Sequence, residues 1–337
     1  MPEEISLLSI ILLSEHQQAF HTEGNGRMQV IVTIIPIFIV ILLGWFARKK
    51  GFITPDFLGP ANKLVYYLSL PALIFSSIAK ASFHEQFDGQ VLLLTLLAAT
   101  LVYIGAEIFA RLFKMSSARA GAFVQSAGHG NLGFIGLPIA LYYLGEGGFV
   151  KAGILCGFLM ILQNLLSVVV LQIHDVENTQ VFTLGSLCKK LVGNPVIIGA
   201  MAGIAVSILE IPIPQVIQQS LNILGGLAAP MALLLIGASL SLTLVRNYLR
   251  PTLGAVALKL LVLPAVGVLL FSIFDVKIEE YVPALILLSS PTATVAYVMA
   301  TEMHGDGDFA VATISASTLF SLVTFILWLT VVSFWGS

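Results

Sequence analysis

Residues 125–138 read QSAGHGNLGFIGLP and lie inside a long apolar stretch of the chain. Four glycines, a histidine, an asparagine and a proline make this a poor lipid-facing helix, since glycine costs about 1 kcal/mol per helical position relative to alanine and proline about 3. A second interruption, SSPTAT at residues 289–294, follows about 160 residues later, and this offset places Pro291 opposite Asn131. We therefore predict two broken helices at matching points of a repeated unit.

The repeat is visible elsewhere at almost the same spacing. Three pairs recur 159 residues apart: Pro36 and Pro195, Pro71 and Pro230, Gly44 and Gly203. GEG at 145–147 likewise matches GDG at 305–307. Repeats in a hydrophobic chain are typical of transporters, whose site lies where the halves meet.

The composition indicates an all-α integral membrane protein. The 337 residues are 58% hydrophobic and 10% charged, against roughly 25% charged in a soluble domain. The net charge of −2 gives no support for nucleic-acid binding. The two cysteines, Cys156 and Cys188, form no close pair, so we expect neither a disulfide framework nor a metal site, and no cofactor.

Ten spans of about 20 residues, the length that crosses a bilayer, can be drawn. Their limits are 28–48, 60–80, 90–112, 118–144, 150–173, 191–209, 217–244, 251–273, 281–303 and 310–334. They predict two five-helix repeats, 28–175 and 186–337. An odd number of spans per repeat inverts the second copy relative to the first. Spans 4 and 9 are the broken helices.

The loop charges predict the orientation. One side carries eleven basic residues: Arg48, Lys49, Lys50, Lys63, Arg111, Lys114, Arg119, Lys189, Lys190, Arg246 and Arg250. The other carries four: Arg27, Lys80, Lys151 and Lys277. Lys and Arg collect on the cytoplasmic side, so both termini are expected outside a cell (inner) membrane. Residues 1–27 are interpreted as an extracytoplasmic tail or an interfacial helix.

The breaks predict an anion site. A broken backbone inside a bilayer must face protein or a water-filled cavity. The N-terminus of each second half-helix then points N–H groups and a partial positive charge into the crossing. Asn131, Thr292 and Thr294 add neutral donors suited to a carboxylate. The alternative is that the small residues only permit close helix packing.

Other polar residues allow more than one interpretation. His129 could carry a proton, form a gate, or simply be hydrogen-bonded. Gln163 and Asn164 could line a pocket behind the crossing or join two helices. Asn194 could cap the helix that starts at Pro195 or contact substrate. Lys259 could reach the interface or stand near the substrate as a charge partner.

Enzyme chemistry has little support in the sequence. The string GDGD at 305–308 resembles the motif of intramembrane aspartyl proteases, which need two carboxylates in contact. Here the acids occupy a short loop, so we interpret them as a helix terminator and turn. Glu107, inside span 3, is expected to pair locally with Arg111.

Three segments together resemble the auxin efflux carrier family, which includes plant PIN carriers and bacterial malonate-type permeases. They are GNLGFIGLP at 130–138, GNP at 193–195 and SPTATVAYVMA at 290–300, and the resemblance extends from about residue 28 to the end. It implies a homodimer and an elevator-type cycle. A scaffold of helices 1, 2, 6 and 7 would hold a transport unit of helices 3–5 and 8–10.

The resemblance also implies where a carboxylate binds, at the positions of Asn131 and Pro291, with Gln163 near a polar support site. The candidate site comprises His129, Gly130, Asn131, Leu132, Asn194, Pro291, Thr292, Ala293 and Thr294, with Gln163, Asn164 and Lys259 as support or coupling candidates. Plant carriers have a proline where this chain has Gly130, so auxin is not the expected substrate.

We therefore expect a secondary transporter of small organic anions, mono- or dicarboxylates, working in the lipid bilayer. One alternative is a sodium-coupled symporter of the bile-acid-carrier type, although intramembrane acids are scarce. Another is a membrane receptor that binds without translocation.

Overall fold

A computed structural model describes residues 26–81, 86–175 and 193–335. Within these ranges the chain is helical and contains no β-strand. The helices are α1 (Gly26–Lys49), α2 (Pro55–Leu64), α3 (Leu70–Lys80), α4 (Gly89–Leu112), α5 (Ser117–Gly128), α6 (Leu137–Ile173), α7 (Pro195–Ile208), α8 (Gln215–Gly226), α9 (Ala228–Ala238), α10 (Leu242–Asn247), α11 (Leu249–Ala257), α12 (Leu263–Ile273), α13 (Ile278–Leu288), α14 (Val295–Glu302) and α15 (Gly307–Trp335). Three π-helical turns join neighbouring helices: Val65–Ser69, Leu132–Gly136 and Leu258–Val262.

The chain is a multi-pass membrane protein. Six stretches of the described residues are long and apolar enough to cross a bilayer: Val30–Lys49, Gly89–Leu112, Leu132–Ile173, Gln215–Ala238, Leu249–Ile273 and Gly307–Phe334. The count of ten spans and the inversion of the second repeat stay predictions. Cys188, Lys189, Lys190 and most of the predicted tail at 1–27 lie outside the described residues.

Both predicted helix breaks are present. Helix α5 ends at Gly128 and the π turn resumes at Leu132. Helix α13 ends at Leu288, and α14 begins at Val295. The costs of glycine and proline inside a helix are local, which is why the sequence locates these breaks.

Several predicted boundaries shift in the structure. The predicted loop between spans 4 and 5 is a kink inside α6, where Gly145 adopts φ 70° and ψ −167°, a backbone conformation that favours glycine. Span 7, predicted to reach residue 244, ends at Ala238, and the short helix α10 follows. The segment around Asp306 is a turn, as predicted, and the Asp306 carboxylate accepts a hydrogen bond from the N–H of Phe309.

Two pairs of helices pack with their backbones in close contact: α1 against α9 and α3 against α7. A Cβ on Gly44 would overlap the carbonyl of Leu234, and a Cβ on Gly203 would lie 3.3 Å from the carbonyl oxygen of Phe75. These two contacts are related by the 159-residue offset on both sides. Glycine thus permits close helix approach at these two positions.

Helices α4–α6 and α10–α15 form the part of the molecule that contains the two breaks. Helix α4 packs against α5, α12 and α13, α5 also packs against α6, and α15 packs against α5, α10 and α11. At one end, Arg119 forms an ion pair of 3.0 Å with Asp306. The predicted pair of Glu107 and Arg111 is confirmed at 2.6 Å, and His174 also contacts Glu107 at 2.9 Å.

Candidate functional site

The two helix breaks lie against each other and are joined by backbone hydrogen bonds. The N–H of Asn131 donates to the carbonyl of Pro291 at 2.7 Å, and the N–H of Ala293 donates to the carbonyl of His129 at 2.9 Å. Gly130 and Thr292 thereby form an isolated antiparallel bridge. The two residues that the repeat offset aligned, Asn131 and Pro291, are therefore direct neighbours.

Gln163 stabilises the crossing from α6. Its side-chain oxygen accepts a hydrogen bond from the N–H of Gly130, and its amide nitrogen donates to the carbonyl of Gly128, both at 3.2 Å. The side chain is fully buried. It joins two elements rather than lining a cavity, which is one of the two roles its sequence position suggested.

Thr292 is also used within the crossing. Its hydroxyl donates to the carbonyl of Ser126 at 2.9 Å, and its N–H donates to the hydroxyl of Ser317 at 3.0 Å. Neither Thr292 nor Pro291 lines the cavity described below. Both residues belong to the break but lie away from the cavity, so neither presents a side chain to a ligand there.

Asn131 caps the helix after the break and keeps a free donor. Its side-chain oxygen accepts from the N–H of Phe134 at 3.3 Å. Its amide nitrogen has no hydrogen-bond partner among the described residues, although Asn131 is only 4% exposed. A buried amide N–H without a partner is costly, so a ligand with an acceptor oxygen is favoured here.

Three backbone N–H groups at the starts of the two half-helices are also free. Within the described ranges, Gly133, Thr294 and Val295 have no hydrogen-bond partner for their N–H. The first turn of a helix carries such unsatisfied donors and a partial positive charge. All three residues line the same cavity as Asn131.

This cavity has a volume of about 460 Å³. One wall comes from the crossing and its helices: His129, Gly130, Asn131, Leu132, Gly133, Phe134, Met160, Asn164, Ala293, Thr294, Val295, Tyr297, Val298, Val311 and Ile314. The opposite wall comes from α2, the π turn Val65–Ser69, α3, α7 with its cap, and α9 with the residue that follows it: Asn62, Lys63, Tyr66, Tyr67, Leu70, Asn194, Val196, Leu235, Ile236 and Ser239. The site is therefore a cleft between two groups of helices, wide enough for a small metabolite.

His129 belongs to a buried hydrogen-bond chain behind this cavity. Its Nδ1 lies 3.0 Å from the hydroxyl of Ser167, which lies 2.8 Å from the hydroxyl of Tyr103. The Tyr103 hydroxyl also lies 3.3 Å from the carbonyl oxygen of Gln163. The histidine thus connects the cavity wall to the support of the crossing.

Asn194 and Asn164 line the cavity while hydrogen-bonding to the backbone. The side-chain oxygen of Asn194 caps α7 by accepting from the N–H groups of Val196 and Ile197, at 3.0 and 3.3 Å, which confirms the predicted cap. The amide nitrogen of Asn164 donates to the carbonyl of Met160 in its own helix at 2.8 Å.

Lys259 does not reach the interface. Its side chain is 0% exposed, and its ammonium donates to the carbonyl of Leu288, the last residue of α13, at 3.0 Å. A Cβ on Gly130 would lie 3.1 Å from the ammonium nitrogen. Lys259 therefore sits beside both broken helices, but it does not line the cavity.

Most residues of the opposite wall of the cavity were not predicted from the sequence. Lys63 was counted only as a loop charge, and the aromatic residues Tyr66 and Tyr67 carried no distinguishing pattern. The π turns are an additional signal, since such turns often occur at functional sites. Val65–Ser69 supplies Tyr66 and Tyr67, Leu132–Gly136 supplies the free N–H of Gly133, and Leu258–Val262 carries Lys259.

Comparison with known proteins identifies the family of this chain. A family model described as membrane transport protein matches residues 29–178 and 163–329. The chain belongs to this membrane transport family. It is the auxin efflux carrier family that the three sequence motifs indicated.

Two relatives from distant organisms match most of the chain, and a third matches less than half of it. An "Uncharacterized transporter" of Methanocaldococcus jannaschii is 24% identical over 301 residues, 88% of this chain and 96% of the relative. A protein of Rhizobium meliloti named "Putative malonate transporter" is 27% identical over 297 residues, 86% of this chain and 92% of the relative. An "Uncharacterized transporter" of Escherichia coli is 28% identical over 141 residues, 40% of this chain and 43% of the relative.

Proposed function

We propose that this protein of the auxin efflux carrier family is a secondary transporter for small organic carboxylate anions. The observation that carries the proposal is the convergence of free donors in one cavity. The amide of Asn131 and the N–H groups of Gly133, Thr294 and Val295 come from both broken helices and have no partners within the described residues.

These donors match the chemistry of a carboxylate. Two half-helix N-termini and an amide supply hydrogen bonds and positive potential to an anion, and Thr294 adds a hydroxyl. Lys63 adds a cation on the opposite wall of the cavity. The name of the Rhizobium meliloti relative, which refers to malonate, supports the same substrate class.

The arrangement of the helices supports an elevator-type cycle. The proposed scaffold of spans 1, 2, 6 and 7 corresponds to the closely packed pairs α1–α9 and α3–α7. The proposed transport unit of spans 3–5 and 8–10 carries the crossing. The cavity lies between these two groups, as an elevator that slides one against the other requires.

We also propose the inverted arrangement of the two five-helix repeats, a homodimer, and a cell (inner) membrane location with both termini outside the cytoplasm. The paired contacts of Gly44 with Leu234 and Gly203 with Phe75 support the repeat, because both partners are displaced by the same offset. The excess of Lys and Arg on one side supports the orientation.

Calorimetry with malonate on the purified protein tests the site. Asn131→Ala is expected to abolish measurable binding. Asn131→Asp is the sharper variant, since it keeps an acceptor for the N–H of Phe134 but places a negative charge where the free amide donor lies. Asn247→Ala, at the exposed end of α10, is the matched control and should bind as the unaltered protein does. Unchanged affinity in Asn131→Asp would exclude this site.

Counterflow separates transport from binding alone. Vesicles loaded with unlabelled malonate should accumulate radiolabelled malonate, because a carrier exchanges substrate across the bilayer. A receptor would bind the label without accumulating it inside. Binding without counterflow would therefore favour the receptor alternative.

A further inference from the structure

Lys259 is the buried charge that the proposed anion site leaves unexplained. The residue lies in the π turn Leu258–Val262, and its ammonium donates to the carbonyl of Leu288 at the end of one broken helix. In the other broken helix, the ammonium lies 3.1 Å from the position that a Cβ on Gly130 would occupy. Ionisable groups inside a membrane are costly and generally serve function. This one is placed at the only β-bridge of the described residues.

The positive charge of Lys259 lacks a full counter-charge. An ammonium has three N–H donors, and among the described residues this one forms a single hydrogen bond, to the carbonyl of Leu288. No carboxylate of the described residues lies within ion-pair distance of its nitrogen. The C-terminal end of α13 offers only the partial negative charge of a helix dipole. An anionic partner would compensate this buried charge and so lower the free-energy cost of burying it.

The cavity provides the place for that partner. Gly130 separates the ammonium from the cavity, and this residue has no side chain to screen the charge. The free donors of Asn131 and Gly133 follow it by one and three residues in the chain. A carboxylate held by these donors would therefore lie close to the ammonium, in surroundings of low dielectric constant.

We propose that Lys259 is a resident cation of the anion site, which balances the bound carboxylate and takes the place of a co-bound sodium ion. The inference rests on the proposed carboxylate site and adds a coupling property to it. Carboxylate binding should therefore require the charge of Lys259 and should not require sodium.

The test is calorimetry with malonate in sodium chloride and in choline chloride of equal concentration. For the unaltered protein we expect dissociation constants that agree within about twofold in the two salts. Lys259→Met removes the charge and the hydrogen bond, while Lys259→Gln removes the charge and keeps a donor. Both should weaken binding at least tenfold. Lys49→Met removes a cation from the end of α1, outside the cavity, and should have no effect.

The outcomes distinguish the inference from the function it rests on. A sodium requirement in the unaltered protein, which needs no variant, overturns the role of Lys259 and leaves the carboxylate site standing. Unchanged affinity for malonate in Lys259→Gln or Lys259→Met also overturns the role of Lys259 and leaves the carboxylate site standing. Failure of the unaltered protein to bind any carboxylate in either salt overturns both the function and the inference.

Discussion

At the scale of single residues, Lys63 is the cation on the cavity wall. No carboxylate of the described chain lies within ion-pair distance of it. Lys63→Gln should weaken malonate binding by about two- to fivefold, as expected for a solvent-screened pair, and acetate binding less, because acetate lacks a second carboxylate. Calorimetry at two ionic strengths checks this, since the loss should shrink as salt rises. Lys50, whose ammonium lies over the ring of Phe46 outside the cavity, provides the control, and Lys50→Gln should not change binding.

Gln163 and Asn164 are adjacent amide side chains, but the hydrogen bonds of Gln163 connect two helices, whereas Asn164 bonds within its own helix. Gln163→Leu leaves the carbonyl of Gly128 and the N–H of Gly130 without partners, at about 1–3 kcal/mol for each buried group. We expect a melting temperature lower by about 5 °C or more. Asn164→Leu removes only a hydrogen bond within its own helix and should lower the melting temperature by less. Equal melting temperatures of the two variants would contradict the bridging role of Gln163.

At the scale of secondary-structure elements, the contact between α1 and α9 depends on glycine. A Cβ on Gly237 would overlap the carbonyl of Ile41, which is backbone and cannot rotate away. Gly237→Ala should therefore separate the two helices and markedly reduce the yield of folded protein in size-exclusion chromatography. Gly105→Ala in α4, where nothing lies within 4 Å of the new Cβ, should be neutral or stabilising by up to about 1 kcal/mol. Similar yields for both variants would argue against this close contact.

The elements also show which features can be read from sequence. Both breaks and the cap at Asn194 were predictable, because glycine, proline and asparagine act on their own backbone. The interruption at Gly145 was also predicted, although as a loop and not as a kink inside α6. The end of span 7 at Ala238 was not predictable, since tertiary packing decides where an apolar run ends. The hydrogen bond of Thr292 to Ser126 and the place of Tyr67 in the cavity wall were not predictable either. Both depend on contacts between segments that are distant in the sequence.

At the scale of the whole molecule, the cavity extends from the crossing towards the side that carries most Lys and Arg. Its walls include Lys63 and Ser239, which border loops predicted on that side. In a variant lacking the native cysteines, Ser239→Cys should react with a membrane-impermeant thiol reagent from the cytoplasmic side, and malonate should slow the reaction. Lys277→Cys, on a loop of the opposite side, should react only from outside. The reverse pattern would contradict the proposed orientation.

The buried ammonium of Lys259 has a consequence for the effect of voltage. With a monocarboxylate bound, the positive charge of Lys259 and the negative charge of the ligand cancel, so the loaded site adds no net charge to what the proposed transport unit moves through the field. A membrane potential acts on a net charge by about 2.3 kcal/mol per 100 mV. Exchange of acetate between two sides, in which only loaded units move, should therefore be insensitive to potential in vesicles. In Lys259→Met the loaded unit would be anionic, and its exchange rate should become voltage-dependent.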